Sequence, residues 1–269
     1  MKKGIKVEKV KKVKEVRKNK KCWSPVIEVS SPPTLYGGKK AKIWKLNTKN
    51  IIAFTSIKPL SYKQAEFDKN IPLLLKSLEI KPEVTAFAKQ VHGGKVLEVK
   101  SKSFASNREA DGLVTVKKDV MLLIFTADCL PVFIYDQKTG ATGITHCGWR
   151  STEKNIIGKA VEKLKKYGSK TNDLRFVLGP RIKECCYEVG PEFTANFQKK
   201  YKNTGVYTRK GKLHFSLSDI VKLQLKKLGI PAKNVVDTAR CTCCEKKSYF
   251  SYRRDGAGTG RMVSGIIAR

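Results

Sequence analysis

The stretch Val120-Met121-Leu122-Leu123-Ile124-Phe125-Thr126-Ala127-Asp128-Cys129-Leu130-Pro131-Val132-Phe133-Ile134-Tyr135 decides the architecture. Two apolar runs of strand length, rich in β-branched and aromatic residues, flank a loop at residues 127–131. Reading outward, further strands fall at residues 141–145, 175–178, 212–215, 235–237, 249–253 and 262–268. Upstream they fall at 42–46 and 51–55, a pair with a turn at 47–50, then at 84–88, 95–99 and 113–116. Helices are expected over 61–79 with Pro72 as an interruption, over 191–201, and over 218–228. The clearest helix begins at Ser151 or Thr152, buries Ile156, Ile157, Ala160, Val161 and Leu164, and stops near Gly168. Strand pairs outnumber strand-helix-strand units, which favours an α+β fold with mixed sheets over a doubly wound parallel sheet.

The 41% hydrophobic content is enough for a sizeable core and excludes end-to-end disorder. The longest apolar run, Val120 to Phe125, is far short of the roughly 20 residues a membrane helix needs, so no spanning segment is expected. The basic N-terminus lacks the apolar core of a secretory signal. A cytoplasmic chain is therefore expected, with its eight cysteines as thiols or metal ligands rather than disulfides. Net charge is +33, carried by 45 Lys and only 11 Arg. Spread along the chain and poor in the bidentate Arg fork, this charge is read as a Lys bias on solvated faces rather than a dedicated nucleic-acid surface. Residues 1–35 read as a Lys-rich tail with a weak Lys-Val repeat, and residues 36–269 as a single domain.

The chain has three histidines. His92 and His146 sit in Gly-bounded loops at strand ends, and Cys129 in a third such loop, where a rigid sheet presents functional groups. Two imidazoles and a thiolate suit zinc with an open fourth position, in which the pKa of its water falls to about 7. The trio also suits copper, but a blue-copper site needs an axial ligand such as Met, and neither Met121 nor Met262 is near in sequence. Spacing alone leaves a structural role open for each of the three. Gly148-Trp149-Arg150-Ser151-Thr152 brings backbone N–H groups, hydroxyls and a guanidinium to a helix start, a ready anion site two residues past His146. Alternatively, Arg150 lies on the surface and Trp149 packs. Cys241 and Cys244 have the C-x-x-C gap, and Cys185-Cys186 could complete a second zinc site. Adjacent cysteines are awkward as two ligands of one ion, so these are read as small buried hydrophobes. His214, in a strand, is read as structural.

Several strings together resemble one family: Gln90-Val91-His92-Gly93, Ala110-Asp111-Gly112-Leu113, Thr126-Ala127-Asp128-Cys129-Leu130-Pro131, His146-Cys147-Gly148-Trp149-Arg150, Gly179-Pro180-Arg181-Ile182, Cys186-Tyr187-Glu188-Val189-Gly190 and Phe250-Ser251-Tyr252-Arg253-Arg254-Asp255-Gly256. In order and content they are similar to the laccase-domain family over residues 40–269. That family was once labelled multicopper polyphenol oxidase and is described as purine nucleoside phosphorylases with adenosine deaminase activity. The resemblance implies a compact α/β/β/α layered domain and a zinc-type site at His92, Cys129 and His146, with Cu²⁺ as the other metal. It implies purine nucleosides (adenosine, inosine, methylthioadenosine) and phosphate as partners of a monomer or homodimer. Three histidines are too few for a laccase with several coppers. Departures occur at Phe54-Thr55-Ser56-Ile57-Lys58-Pro59, where an Arg usual in relatives is missing, and at Cys147, where a small Ala is usual.

On this reading Glu188 or Asp111, with Asp128 behind them, would shuttle the proton in deamination, as Glu does in zinc deaminases. Arg150 with the Ser151 helix start, helped by Arg181 or Arg253, would hold phosphate in phosphorolysis. Two rivals stay open. One is a metal-free cysteine hydrolase with Cys129 as nucleophile and His92 or His146 as base. The other is a non-enzymatic basic protein that binds nucleic acid through the tail.

Overall fold

A computed structural model describes residues 26–30, 42–48, 50–100, 104, 106–202 and 204–269. The chain opens with strands β1 (Val26–Ser30), β2 (Lys42–Thr48) and β3 (Ile51–Ile57), followed by helix α1 (Gln64–Leu78). Strands β4 (Val84–Ala86), β5 (Val96–Glu98), β6 (Gly112–Thr115), β7 (Val120–Thr126), β8 (Leu130–Asp136) and β9 (Thr142–Cys147) come next. Helices α2 (Trp149–Glu153) and α3 (Ile156–Lys165) lead to β10 (Leu174–Leu178) and α4 (Pro191–Tyr201). The hairpin β11 (Val206–Arg209) and β12 (Lys212–Phe215), helix α5 (Leu217–Lys227), β13 (Val235–Asp237), helix α6 (Tyr252–Asp255) and β14 (Met262–Ala268) complete it.

Two mixed six-stranded sheets result, in the orders β1-β2-β3-β14-β7-β4 and β13-β10-β8-β9-β6-β5. The alternation of side chains along each strand builds the layers. On β7, Leu122 and Ile124 face the second sheet, where they meet Phe133, Tyr135 and Ile144. Met121 and Leu123 face the other way, onto Leu74 and Leu78 of α1. On β8, Val132 and Ile134 turn outward beneath α3 and α5, against Ile157, Val161, Ile220 and Leu225. The order is helix, sheet, sheet, helices, the α/β/β/α arrangement of an α+β fold. Strands covered on both faces read as unbroken apolar runs, which is why the 120–135 stretch shows no polar alternation.

The structure corrects the sequence reading in four places. The clearest helix is two pieces: α2 ends at Glu153, Asn155 takes a left-handed φ of 55°, and α3 starts at Ile156. The five apolar residues assigned to its buried face are all fully buried, with each Ile, Val or Leu worth about 1.5–3 kcal/mol. Helix α1 runs through Pro72 without a break; burial of Leu74 and Leu78 outweighs the roughly 3 kcal/mol that an internal proline costs. Residues 249–253 form no strand, because the Ser251 hydroxyl donates to Asp128 (3.0 Å) and accepts from the Arg254 N–H (3.3 Å), which turns the chain into α6. The largely exposed β11 has no buried face to pattern it; its strand formers Val206, Tyr207 and Thr208 and the Lys210-Gly211 turn into β12 are the signals the sequence reading passes over. The Lys-rich tail lies outside the described residues except for Val26–Ser30, which pairs antiparallel with β2.

Candidate active site

Cys129 sits in the loop between β7 and β8, which belong to different sheets. His92 lies in the β4–β5 connection, which makes the same crossing, and His146 lies on β9. One ligand-type atom from each of the three comes within 4.8 Å of the others. Cys129 Sγ is 3.8 Å from His92 Nε2, and the two imidazole rings meet edge to face at 4.8 Å between centroids.

Asp111 fixes this geometry. Fully buried just before β6, it accepts the N–H groups of Val91 (3.2 Å), His92 (2.9 Å) and Gly93 (2.6 Å). It also pairs with His146 Nδ1 at 2.8 Å, which leaves Nε2 as the ring nitrogen on the Cys129 side. A carboxylate behind a histidine sets its tautomer and orientation, as behind metal-binding histidines generally. The backbone is strained at two points of the site. His92 has φ 54° and Asp128 φ 91°, the latter held by Thr242 Oγ1 (2.6 Å), Ser251 Oγ (3.0 Å) and the Arg253 N–H (2.7 Å). Left-handed backbone at non-glycine residues collects at functional sites.

Electrostatics follow the geometry. Burial pushes the Cys129 thiol up, but His146 and His92 beside it outweigh that and hold it at about 6. Burial pulls the His146 imidazole down, and the Cys129 and Asp111 charges overcome this and raise it to about 9. In the metal-free pair each charge favours the other, thiolate on Cys129 and proton on His146. The neighbouring Cys147 is fully buried and pushed up to about 12 by that burial, so it is an inert packing group. Two imidazoles with orientable nitrogens and a ready thiolate form a donor set that fits a zinc-type ion. Gly148 makes room for it: a Cβ there would lie 2.8 Å from His92 Cδ2 and 3.3 Å from Cys129 Sγ. Gly148→Ala is therefore expected to displace the His92 ring and weaken metal binding roughly tenfold without unfolding the protein. A competition titration against a chromophoric chelator, with circular dichroism as control, measures both.

The trio opens into a cavity of about 1320 Å³. Phe67, Phe87 and Phe125 cluster on its wall with centroids 4.9–5.8 Å apart. Tyr187 and Trp149 line it as well, with the Arg253 and Arg150 guanidinia over their rings at 5.3 and 4.2 Å. Lys63, Asp68 and Arg261, none singled out from sequence, also reach it, as does Gln90. Gln90 braces the His92 loop, its amide donating to Phe125 O (2.8 Å) and accepting the Phe125 N–H (2.7 Å).

The remaining residues expected at the site are placed differently. Asp111 accepts two contacts on each oxygen and does not line the cavity, whereas Asp128 lines it and accepts three contacts, from Thr242, Ser251 and Arg253. Glu188 is exposed, pairs with Lys212 at 3.0 Å and does not line the cavity. Arg181 is buried and committed to Asp237 through two contacts of 2.7 and 2.9 Å, so it is not offered to phosphate. Ser151 is fully buried, and α2 has only five residues, so Arg150 and Trp149 are the parts of that motif that reach the cavity. His214 is buried in β12. Of the four cysteines read as buried hydrophobes only Cys241 is buried: Cys185 and Cys186 are half-buried, Cys244 is exposed, and all four converge.

A family model described as multi-copper polyphenol oxidoreductase laccase matches residues 61–269. The chain is 35% identical over 187 residues to a purine nucleoside phosphorylase of Clostridium acetobutylicum, covering 68% of this chain and 76% of that protein. It is 34% identical over 202 residues to a purine nucleoside phosphorylase of Borreliella burgdorferi, covering 73% and 84%. It is also 34% identical to adenosine deaminase RL5, from an unknown prokaryotic organism, spanning 59% of this chain and 62% of that relative's length. Among solved structures it is similar to YlmD from Geobacillus stearothermophilus, with a TM-score of 0.78 and 25% identity over 84% of this chain and 96% of the other. Among the described residues no helix is long and apolar enough to cross a membrane.

Proposed function

We propose a function on the premise that this chain belongs to the multi-copper polyphenol oxidoreductase laccase family. The chain is a purine nucleoside phosphorylase acting on adenosine, inosine and methylthioadenosine, with metal-dependent adenosine deaminase activity. The observation that carries this reading is the convergence of His92, Cys129 and His146 at an aromatic cavity furnished with Arg150, Arg253, Arg261 and Lys63. The names of the phosphorylase and deaminase relatives support it.

His92 Nε2, Cys129 Sγ and His146 Nε2 would hold the ion, zinc on chemical grounds. Bound there, the ion supplies Lewis-acid activation at neutral pH. The aromatic walls take the flat purine and keep water away from the sugar. The cations hold phosphate and stabilise the negative charge on the departing base as the bond between C1′ and the base nitrogen breaks and a phosphate oxygen bonds to C1′, the base taking up the proton that phosphate gives up. Base and ribose 1-phosphate leave.

Adenosine incubated with the zinc-loaded protein is expected to give adenine and ribose 1-phosphate with phosphate present, and inosine without it. If neither product forms under either condition, the reading fails. One observation favours a second reading, a metal-free cysteine hydrolase: the Cys129 sulfur stands 3.8 Å from His92 Nε2, with His146 close by. Chelation separates the two, since it should abolish nucleoside turnover in the first case and spare hydrolysis in the second.

A further inference from the structure

We infer that Cys185, Cys186, Cys241 and Cys244 form a second, structural zinc site, separate from the trio in the cavity. Their sulfurs all lie within 4.8 Å of one another. Individual separations are 3.5 Å for Cys185 to Cys241, 3.5 Å for Cys185 to Cys244 and 3.3 Å for Cys186 to Cys244. A tetrahedral ion with Zn–S bonds of about 2.3 Å sets its sulfurs about 3.8 Å apart, so small movements suffice to seat one. The spread is too tight for a multi-iron cluster, and four soft thiolates select a single tetrahedral ion. All four are free thiols, their separations well beyond the roughly 2.03–2.05 Å of a disulfide.

The backbone around them is built for this. Cys185 and Cys186 sit in a turn closed by the N–H groups of Cys186 and Tyr187, both donating to Lys183 O at 2.9 Å. That turn is how two adjacent cysteines aim at one point. Cys241 and Cys244 sit in a second turn, closed by the Glu245 N–H to Cys241 O at 3.0 Å. A zinc ion with four thiolates carries a net negative charge, and cations surround the cluster. Arg209 donates to Cys185 O (3.0 Å), Arg253 to Cys186 O (3.4 Å) and Arg254 to Cys243 O (2.8 Å).

The site would staple residues 183–187 to residues 241–245. Both segments bear on the cavity: the first ends in Tyr187, and Thr242 of the second grips Asp128 beside Cys129. The ion's role is therefore to hold the wall and the Cys129 loop in register.

The test uses the full-length protein purified under reducing conditions without chelator. Two zinc ions per chain are expected. In His92→Ala/His146→Ala protein one should remain, and Co²⁺ exchanged into it should show the strong charge-transfer absorption of four thiolates. Peptide mapping should find Cys185, Cys186, Cys241 and Cys244 protected from alkylation until the ion is removed. A single zinc ion in wild type that disappears in the histidine variant overturns the inference, as do four freely alkylated thiols or a bridge between any two of them. Should the histidine variant fail to fold, wild-type stoichiometry and alkylation decide the matter alone.

Discussion

Cys129→Ala is expected to abolish nucleoside turnover and metal retention at the cavity together. Without its thiolate the trio keeps two imidazoles, one of them exposed, and a two-histidine site holds zinc poorly. The Lewis-acid contribution at stake is several kcal/mol, and about 4 kcal/mol corresponds to roughly a thousandfold in rate. Because the Cys129 side chain is only partly buried, the variant should fold and melt near the wild-type temperature. Metal analysis and steady-state kinetics on the same preparation make the comparison. Full turnover in the metal-free variant would remove the basis of the proposed function.

Asp111→Asn is expected to weaken metal binding at the cavity by roughly 10–100-fold and to destabilise the fold by about 3 kcal/mol. The carboxylate receives three backbone N–H groups and pairs with His146 Nδ1, two partners on each oxygen. An amide can accept on one oxygen only, so in either orientation its NH₂ faces two of those partners. The pH dependence has a definite sign. Burial alone would raise the Asp111 carboxyl, but His146 and the N–H groups of Gly93 and Val91 hold it below its ordinary 3.8. A carboxyl depressed in the folded state stabilises above its ordinary value and loses that effect as pH falls through the folded one. The gap between wild type and Asp111→Asn in urea unfolding of metal-free protein should thus be widest near neutrality and close below about pH 4. A gap that widens on acidification would contradict the role assigned to Asp111.

The layered fold is legible in the sequence because its strands are covered on both faces, and apolar runs such as Val120–Phe125 fit nowhere but between two layers. What escapes is decided by individual polar anchors. Asn155 splits a helix that hydrophobic spacing alone would continue, and Ser251 turns residues 249–253 out of a sheet by bonding Asp128, 123 positions away. The ligand trio can be picked out because His92 and Cys129 occupy strand-end loops in a histidine-poor chain, although His146, expected in a third loop, lies on β9 one residue before its end. The supporting carboxylates mislead for a physical reason: a sequence shows an acidic group beside a site but not how many donors already saturate it. Arg181 misleads in the same way, since its partner Asp237 lies 56 residues downstream. Phe67, Phe87 and Phe125 give no signal, because aromatic residues on a helix, past a strand end or on a strand look alike whether they fill a core or line a cavity.

Cys129 sits where the chain passes from one sheet to the other, His92 lies on another such passage, and His146 belongs to the second sheet alone. An ion seated among them is a rivet through two plates. Its three bonds would hold only for one spacing and alignment of those plates, so metal binding would be tied to the apolar interface that includes Leu122, Phe133 and Ile144. Anything that slides or swells that interface, however far from the cavity, reaches the ion as a stretched bond, and metal affinity becomes a gauge of how the two halves are stacked.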